Sequence, residues 1–184
     1  MSNTVSYQEF LNEEARALAR RRHPVLLVAI FLVVFFALQY AWEMSRGSRL
    51  EQVVIDQATV APAAWIINSI WSEQGVTAQG HRIVSPHGRL NILNGCEGLE
   101  TLFLLLAAIA AYPFTWRAQL QGLGLGLPLV FVLNQARIVI LWHAFLHDRA
   151  LFGVLHGIVL PLVLVAICFV FFLAFMARHE PVAT

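Results

Sequence analysis

The sequence predicts an all-α polytopic membrane protein with about four transmembrane helices, an extracytoplasmic amphipathic helix and a small β-hairpin segment. Hydrophobic residues make up 59% of the 184 residues and charged residues 12%, whereas a soluble domain usually has about 25% charged residues. Long apolar runs alternate with polar segments, the longest of which follows the first run. With a formal net charge of +1, the chain has no basic excess that would indicate nucleic-acid binding.

The first part of the chain predicts a cytoplasmic segment followed by a membrane anchor. Residues 1–23 have an amphipathic pattern and include the arginine cluster Arg20, Arg21 and Arg22, and clustered arginines before a first span favour cytoplasmic retention. Residues 24–44 are apolar over about the 20 residues that cross a bilayer, and they predict transmembrane helix 1. Because no early short apolar region ends in a small-residue cleavage site, we expect an uncleaved anchor.

Residues 45–93 predict a periplasmic segment in two parts. Residues 50–71 mix apolar and polar side chains in the manner of an interfacial amphipathic helix, and Pro62 predicts a kink or break in it. The second part has short β-type runs separated by Gly80 and Gly88, a pattern that indicates one or two small hairpins. Since so small a hairpin needs a packing partner, we expect it to pack on the helix.

The rest of the chain predicts three further transmembrane helices within residues 94–177, followed by a cytoplasmic tail, residues 178–184. The approximate bounds of these helices are Leu99 to Tyr112, Leu120 to Trp142 and Val154 to Met176. Pro161 predicts a kink in the last helix. Four spans from a cytoplasmic N-terminus return the chain to the cytoplasm, so residues 45–93 and the start of the last helix lie on the periplasmic side.

Three reactive side chains fall near the predicted periplasmic ends of these helices: Cys96, Arg137 and His156. A cysteine acyl-transfer site uses a thiol, a guanidinium and an imidazole as nucleophile, oxyanion stabiliser and general base. Each residue also has a simpler interpretation, namely a small residue at a helix start, an arginine that snorkels to the interface and an ordinary interfacial histidine. Their common depth on three successive helices favours the catalytic interpretation.

Two neighbours of the cysteine are predicted to form a capping arrangement. Asn94 predicts an N-cap that places Cys96 in the first helical turn, where free N–H groups and the helix dipole favour a thiolate. Glu97 then stands at the third helical position of a capping-box variant. Because its negative charge opposes a thiolate, the sequence leaves the ionisation state of Cys96 open.

Two further polar residues are predicted to support the site. Glu100 lies one helical turn after the cysteine, and an intramembrane carboxylate needs a partner. We expect Arg137 or His156 to be that partner, either to orient the catalytic groups or as a purely structural ion pair. Asn134 lies one turn before Arg137 on the same helix face, and we expect it to hold or supplement the guanidinium.

The remaining histidines and the second cysteine suggest other interpretations. His143 and His147 have the i, i+4 spacing of metal ligands, and together with His156 they predict an alternative function as a non-enzymatic haem- or metal-binding membrane subunit. Histidines at a wet interface explain the same pattern, and we expect neither a metal nor another cofactor. Cys168 lies in the middle of the last apolar run and is expected to be an apolar filler.

The three catalytic candidates, in their local sequences, resemble the exosortase/archaeosortase family of polytopic membrane transpeptidases. The resemblance covers about residues 50–177 and is strongest to the short exosortase H branch. The motifs that carry it are Asn94-Gly95-Cys96-Glu97-Gly98, Asn134-Gln135-Ala136-Arg137 and His156 at the start of the last span.

This resemblance implies a cysteine protease or transpeptidase in a bacterial inner membrane, with its active site facing the periplasm. Its partners would be exported proteins that carry a C-terminal sorting signal, composed of a short motif, a transmembrane helix and a basic tail. The resemblance implies that Cys96 cleaves the signal through a thioester acyl-enzyme, with Arg137 and His156, and that an unknown acceptor amine or water then takes the acyl group. The segment 45–93 would help to read the motif. A degenerate member that acts only as a substrate-binding scaffold is a further alternative.

Overall fold

The computed structural model describes residues 23–92 and 96–179, which form mostly helices and one small sheet. The predicted cytoplasmic segment before residue 23, Asn94 and the last five residues of the tail lie outside this range. The helices are α1 (His23–Met44), α2 (Arg49–Ile70), α3 (Leu99–Ala111), α4 (Trp116–His147) and α5 (Arg149–Arg178). The strands between α2 and α3 are β1 (Thr77–Gln79), β2 (Arg82–Ser85) and β3 (Gly88–Asn91).

Four helices of the described chain are long and apolar enough to cross a membrane, as predicted in number, but one of them differs from the prediction. They are Pro24–Met44, Arg49–Ile70, Trp116–His147 and Arg149–Arg178. Helix α3 has 13 residues and therefore a length of about 20 Å at 1.5 Å per residue, which is less than the roughly 30 Å of a bilayer core. Helix α3 is therefore shorter than the full span that the sequence predicts, and α2 is a further helix with the length and hydropathy of a span.

Local chemistry at both ends keeps α3 short. Gly98 precedes it with a left-handed backbone at φ 76°, a conformation that glycine adopts without steric cost. Tyr112 follows it with an extended backbone, as expected for a residue before proline, and here Pro113 is that proline. Helix α3 packs against α1 and α4, and about half of its side chains are buried. It is therefore an internal element that carries the residues after Cys96.

Both helices with a predicted proline kink continue past the proline, and each contains a π-helical segment just before it. These segments are Val53–Val60 before Pro62 and Leu155–Val159 before Pro161. A proline has no N–H for the carbonyl four residues earlier. In α2 that carbonyl belongs to Ala58, and the side-chain amide of Gln135 donates a hydrogen bond to it at 3.5 Å. The wider hydrogen-bond pattern thus accommodates Pro62 without a break.

The three strands form an antiparallel meander in the order β1-β2-β3, which confirms the predicted hairpins. Gly80 forms the first turn with a left-handed φ of 57°. Ile83 of β2 pairs with Leu90 of β3, and both side chains are buried in one core with Ile55 and Ile67 of α2. The sheet therefore packs on α2, as its small size required.

Polar contacts tie the segment before β1 to α2 and to α4. The Asn68 side chain brackets Val76, accepting from its N–H at 2.9 Å and donating to its carbonyl. The indole of Trp142 donates to the side-chain carbonyl of Gln74 at 2.7 Å. Because Trp142 is fully buried, it does not mark a helix end at the interface, and α4 continues to His147.

Candidate active site

The structure brings Cys96 and His156 into direct contact, as the sequence predicts. The thiol sulfur Sγ of Cys96 lies 3.3 Å from Nδ1 of the His156 ring. Cys96 lies in the loop before α3 and is buried. His156 lies in the π-helical segment of α5, seven residues into the helix rather than in its first turn. A π-helical turn in an α-helix is often found at a functional site.

Asn134 holds the loop that carries the cysteine. Its Nδ2 donates to the backbone carbonyl of Cys96 at 3.2 Å and to that of Glu97 at 3.0 Å. Gly98 packs directly on the same side chain, since a Cβ at that position would lie 2.7 Å from Cγ of Asn134. Both the left-handed φ and this close approach require glycine. Asn134 therefore positions the nucleophile, whereas its place one turn before Arg137 predicts a role in holding the guanidinium.

The predicted capping arrangement around Cys96 is wrong. Helix α3 begins at Leu99 with Gly98 as its N-cap, so Cys96 lies three residues before the first helical turn. The helix therefore begins too late in the chain for Asn94 to be its N-cap or for Glu97 to be its third residue. Asn94 itself lies outside the described residues. The helix dipole, whose effect fades beyond the first turn, does not explain how the thiol ionises.

Arg137 is buried in α4, next to the cysteine and the histidine. Only 5% of its surface is exposed, so it does not snorkel to the interface. It lies ten residues before the end of α4, about 15 Å along the axis, and not one turn from the end as predicted. Together with His156 and Gly98 it lines a cleft of about 340 Å³ between α3, α4 and α5.

The electrostatics of this cleft favour a neutral thiol at rest. Burial raises the pKa of Cys96, the Arg137 guanidinium lowers it and the Glu97 carboxylate raises it, and the resulting pKa lies above that of an ordinary cysteine. A neutral thiol becomes a nucleophile when a base accepts its proton. The imidazole nitrogen at 3.3 Å is placed to be that base.

The family described as "transmembrane exosortase" matches residues 15–173 of the chain. The chain belongs to the exosortase family. No curated protein and no solved structure matches it. Exosortases are in general membrane transpeptidases of sorting signals, and the family match covers all three catalytic candidates. The finer assignment to the short exosortase H branch stays a prediction.

In this exosortase, Glu97 has a partner that the sequence pattern does not predict. The Glu97 side chain is 4% exposed, and its Oε1 lies 3.7 Å from the guanidinium of Arg46. Arg46 also pairs with Glu43 and Glu51, each at 3.4 Å, and lies over the ring of Trp42. A basic residue directly after the first apolar run, between two glutamates, was the available sequence signal. The pairing offsets the negative charge beside the nucleophile.

Glu100 does not form the expected ion pair. Glu100 lines the same cleft as Arg137 and His156, but it is exposed to solvent. Over residues 23–92 and 96–179, no ion pair joins it to either group. The predicted pairing is therefore wrong, and the exposed carboxylate is accessible to solvent instead.

The histidines of the metal or haem alternative do not gather. The ring of His143 stacks on Trp71 at 5.5 Å and on His147 at 4.2 Å, while His156 contacts the thiol of Cys96. Among the described residues, no three side chains of His, Cys, Asp or Glu come together as a metal site. Cys168 is free and buried in an apolar cluster, as its position predicted.

Proposed function

We propose that the protein is a cysteine transpeptidase of the bacterial inner membrane that cleaves C-terminal sorting signals of exported proteins. The observation that carries this proposal is the 3.3 Å contact between Sγ of Cys96 and Nδ1 of His156, beside the buried Arg137. Membership of the exosortase family supports the same reaction class. The arginine cluster before α1 supports an active site that faces the periplasm.

The first half of the reaction forms a thioester. Nδ1 of His156 accepts the thiol proton while Sγ of Cys96 attacks the carbonyl carbon of the scissile peptide bond. The carbonyl oxygen becomes an oxyanion, and the buried Arg137 guanidinium, which lines the cleft, stabilises its charge. When the C–N bond breaks, the imidazolium gives its proton to the leaving amine. The acyl group then remains on Cys96 as a thioester.

The second half transfers the acyl group. An acceptor amine or water attacks the thioester carbonyl, and His156 accepts the proton that the nucleophile loses. Arg137 stabilises the second oxyanion as it did the first. When the C–S bond breaks, Sγ takes the proton back from the imidazolium and the thiol is restored. The same three side chains therefore serve both steps.

The shape of the catalytic cleft suits a substrate that itself crosses the membrane. Beyond the catalytic residues, Leu104 of α3 and Pro161 and Val165 of α5 line the same cleft, so it extends along these two helices. A sorting signal has its motif next to a transmembrane helix. We infer that this helix lies along α3 and α5 while the motif reaches Cys96.

The test is a comparison of Cys96→Ala with Cys168→Ala in cells that also express a tagged substrate. Cys96→Ala should abolish processing while the protein accumulates normally, and Cys168→Ala should process as the parent does. Mass spectrometry of the parent should detect an acyl adduct on Cys96 that hydroxylamine removes. Full processing by Cys96→Ala would overturn the proposed nucleophile.

A further inference from the structure

A second cleft, of about 510 Å³, adjoins the loop that carries the nucleophile. It shares Gly98 with the catalytic cleft but lies between α2, α3 and α4, and Glu97 lines it as well. Most of its wall is apolar and includes Ala58, Leu102 and Phe131. A cleft of this volume lies within the size range of ligand sites, about 300–1,000 Å³. The reaction proposed above does not use it.

Two buried amide oxygens give this apolar cleft its polar character. Asn134 and Gln135 line it, and they are 3% and 4% exposed. Their oxygens, Oδ1 and Oε1, have no hydrogen-bond donor in the part of the chain that the structure describes. A buried acceptor without a donor is unfavourable. The cleft is therefore suited to a ligand that brings a donor.

The orientation of both amides is fixed by what their nitrogens contact. Nε2 of Gln135 donates to the carbonyl of Ala58, and Nδ2 of Asn134 donates to the carbonyls of Cys96 and Glu97. Turning either amide over would place its oxygen against a carbonyl oxygen, and two acceptors cannot form a hydrogen bond. The free atoms are therefore acceptors, and the matching ligand groups are N–H or O–H.

An extended peptide has both properties that the cleft requires, because it combines apolar side chains with backbone N–H donors. A lipid acyl chain fills an apolar cleft but offers no donor. We propose that this cleft receives an apolar side chain of the sorting motif, and that Gln135 accepts a hydrogen bond from a backbone N–H of the same segment. This assignment rests on the proposed function and makes the cleft a determinant of substrate choice.

Ala58 gives a way to change the cleft without touching the catalytic residues. It lies on α2, is exposed and lines the cleft, whereas its neighbour Gln57 is exposed but does not line it. Ala58→Trp should fill the cleft, and Gln57→Trp is the matched control. The probes are reporters with a motif segment randomised at four positions, followed by an apolar helix and a basic tail.

Ala58→Trp should lower the processing of reporters with a large apolar motif residue at least tenfold, and should spare reporters with alanine at that position. Gln135→Leu should lower kcat/KM about three- to tenfold for all motifs, the effect of one lost hydrogen bond. Gln57→Trp should change neither. Alkylation of Cys96 by iodoacetamide should proceed at the parental rate in all three variants, which shows that the nucleophile loop is intact.

A cross-link tests the cleft independently of catalysis. Benzoylphenylalanine in place of Phe131, in a Cys96→Ala background, should cross-link to the motif segment of the bound reporter. Cross-links to lipid alone, or an equal loss of processing for all motif sizes in Ala58→Trp, would overturn the proposal. Processing that persists in Cys96→Ala would instead contradict the proposed function, and the cross-link would still decide what occupies the cleft.

Discussion

Cys96 and Cys168 are both free and buried to the same extent, each with 5% of its surface exposed, but their neighbours are of opposite character. Cys96 has an imidazole nitrogen at 3.3 Å and feels the charges of a guanidinium and a carboxylate. Cys168 packs with Leu105, Ile109 and Val130. Since burial is equal, the difference in chemistry comes from the polar groups that other helices bring to the thiol.

Helix α4 supplies two of these polar groups. Asn134 and Arg137 lie about one turn apart on it, so one helix both holds the backbone of the nucleophile loop and places a buried cation in the cleft. Buried charged groups of this kind are costly within a membrane. The apolar neighbours of Cys168 are the less costly surroundings for a buried thiol. The predictions below test whether the neighbours of Cys96, rather than its burial, account for its reactivity.

Removal of the base should have the largest effect. His156→Gln should lower processing by about 10²–10⁴-fold, the usual contribution of a general base, and should bring the alkylation rate of Cys96 towards that of Cys168. The measurements are reporter processing and alkylation of both thiols, quantified by mass spectrometry. His143→Gln, which alters a histidine outside the site, is the control. A His156→Gln protein that retains a tenth of parental activity would contradict the role of the base.

Removal of the cation should have the next largest effect. Arg137→Gln should lower kcat about 10²–10³-fold, as the loss of an oxyanion-stabilising donor does. Arg137→Lys should fall between the parent and Arg137→Gln, because an ammonium keeps the charge but lacks the planar fork of donors. Arg117→Gln, at an exposed arginine, should process normally. If Arg137→Gln raised KM alone, the side chain would bind substrate rather than stabilise the transition state.

Crowding at the nucleophile loop should show as lost stability. Gly98→Ala places a Cβ 2.7 Å from the Asn134 side chain at a left-handed φ, and we expect a destabilisation of about 2–4 kcal/mol. Gly124→Ala is the control, because a Cβ there meets nothing within 4 Å and alanine favours the helix by up to about 1 kcal/mol. Unfolding in detergent measures both. Equal stability of the two variants would show that the loop adapts.

The smallest expected effect is a shift in the pH dependence of alkylation. The thiolate reacts, and the raised pKa of Cys96 moves its reactivity to higher pH than that of an ordinary thiol. Glu97→Gln removes a charge that raises this pKa, so the midpoint should move down, by on the order of one pH unit or less. Glu73→Gln, at an exposed site, should leave it unchanged. An upward shift in Glu97→Gln would contradict the charge assignment.

The contact between Cys96 and His156 could be predicted from the sequence, because it depends on the order of the helices and on the depth of each residue. Cys96 and His156 are 60 residues apart and in contact, as the order and depth of the predicted spans indicated. The small sheet and its packing on α2 also followed from local turn residues and from the need of a hairpin for a partner.

The details that failed depend on contacts between distant segments. A local capping rule favoured Asn94, but the helix begins after Gly98, whose packing on Asn134 is visible only in three dimensions. The apolar pattern predicts the end of a span at Trp142, but this side chain is buried and donates a hydrogen bond to Gln74, and α4 continues to His147. Arg46 contacts Glu97, which lies 51 positions later in the chain. The residues next to Arg46 in the sequence do not indicate which distant carboxylate it contacts.

The π-helical turn around His156 has a consequence for how the chain tolerates insertions and deletions. An α-helix turns by about 100° per residue, and a π-helical turn accommodates one additional residue without ending the helix. Deleting Gly157 would restore regular α-helical winding and rotate everything before it, including the imidazole, by about that angle. Composition and hydropathy would hardly change, but His156 would no longer face Cys96. The catalytic alignment therefore depends on the angular register of α5. Substitutions that keep the number of residues keep this register, whereas a hydropathy profile does not reveal it.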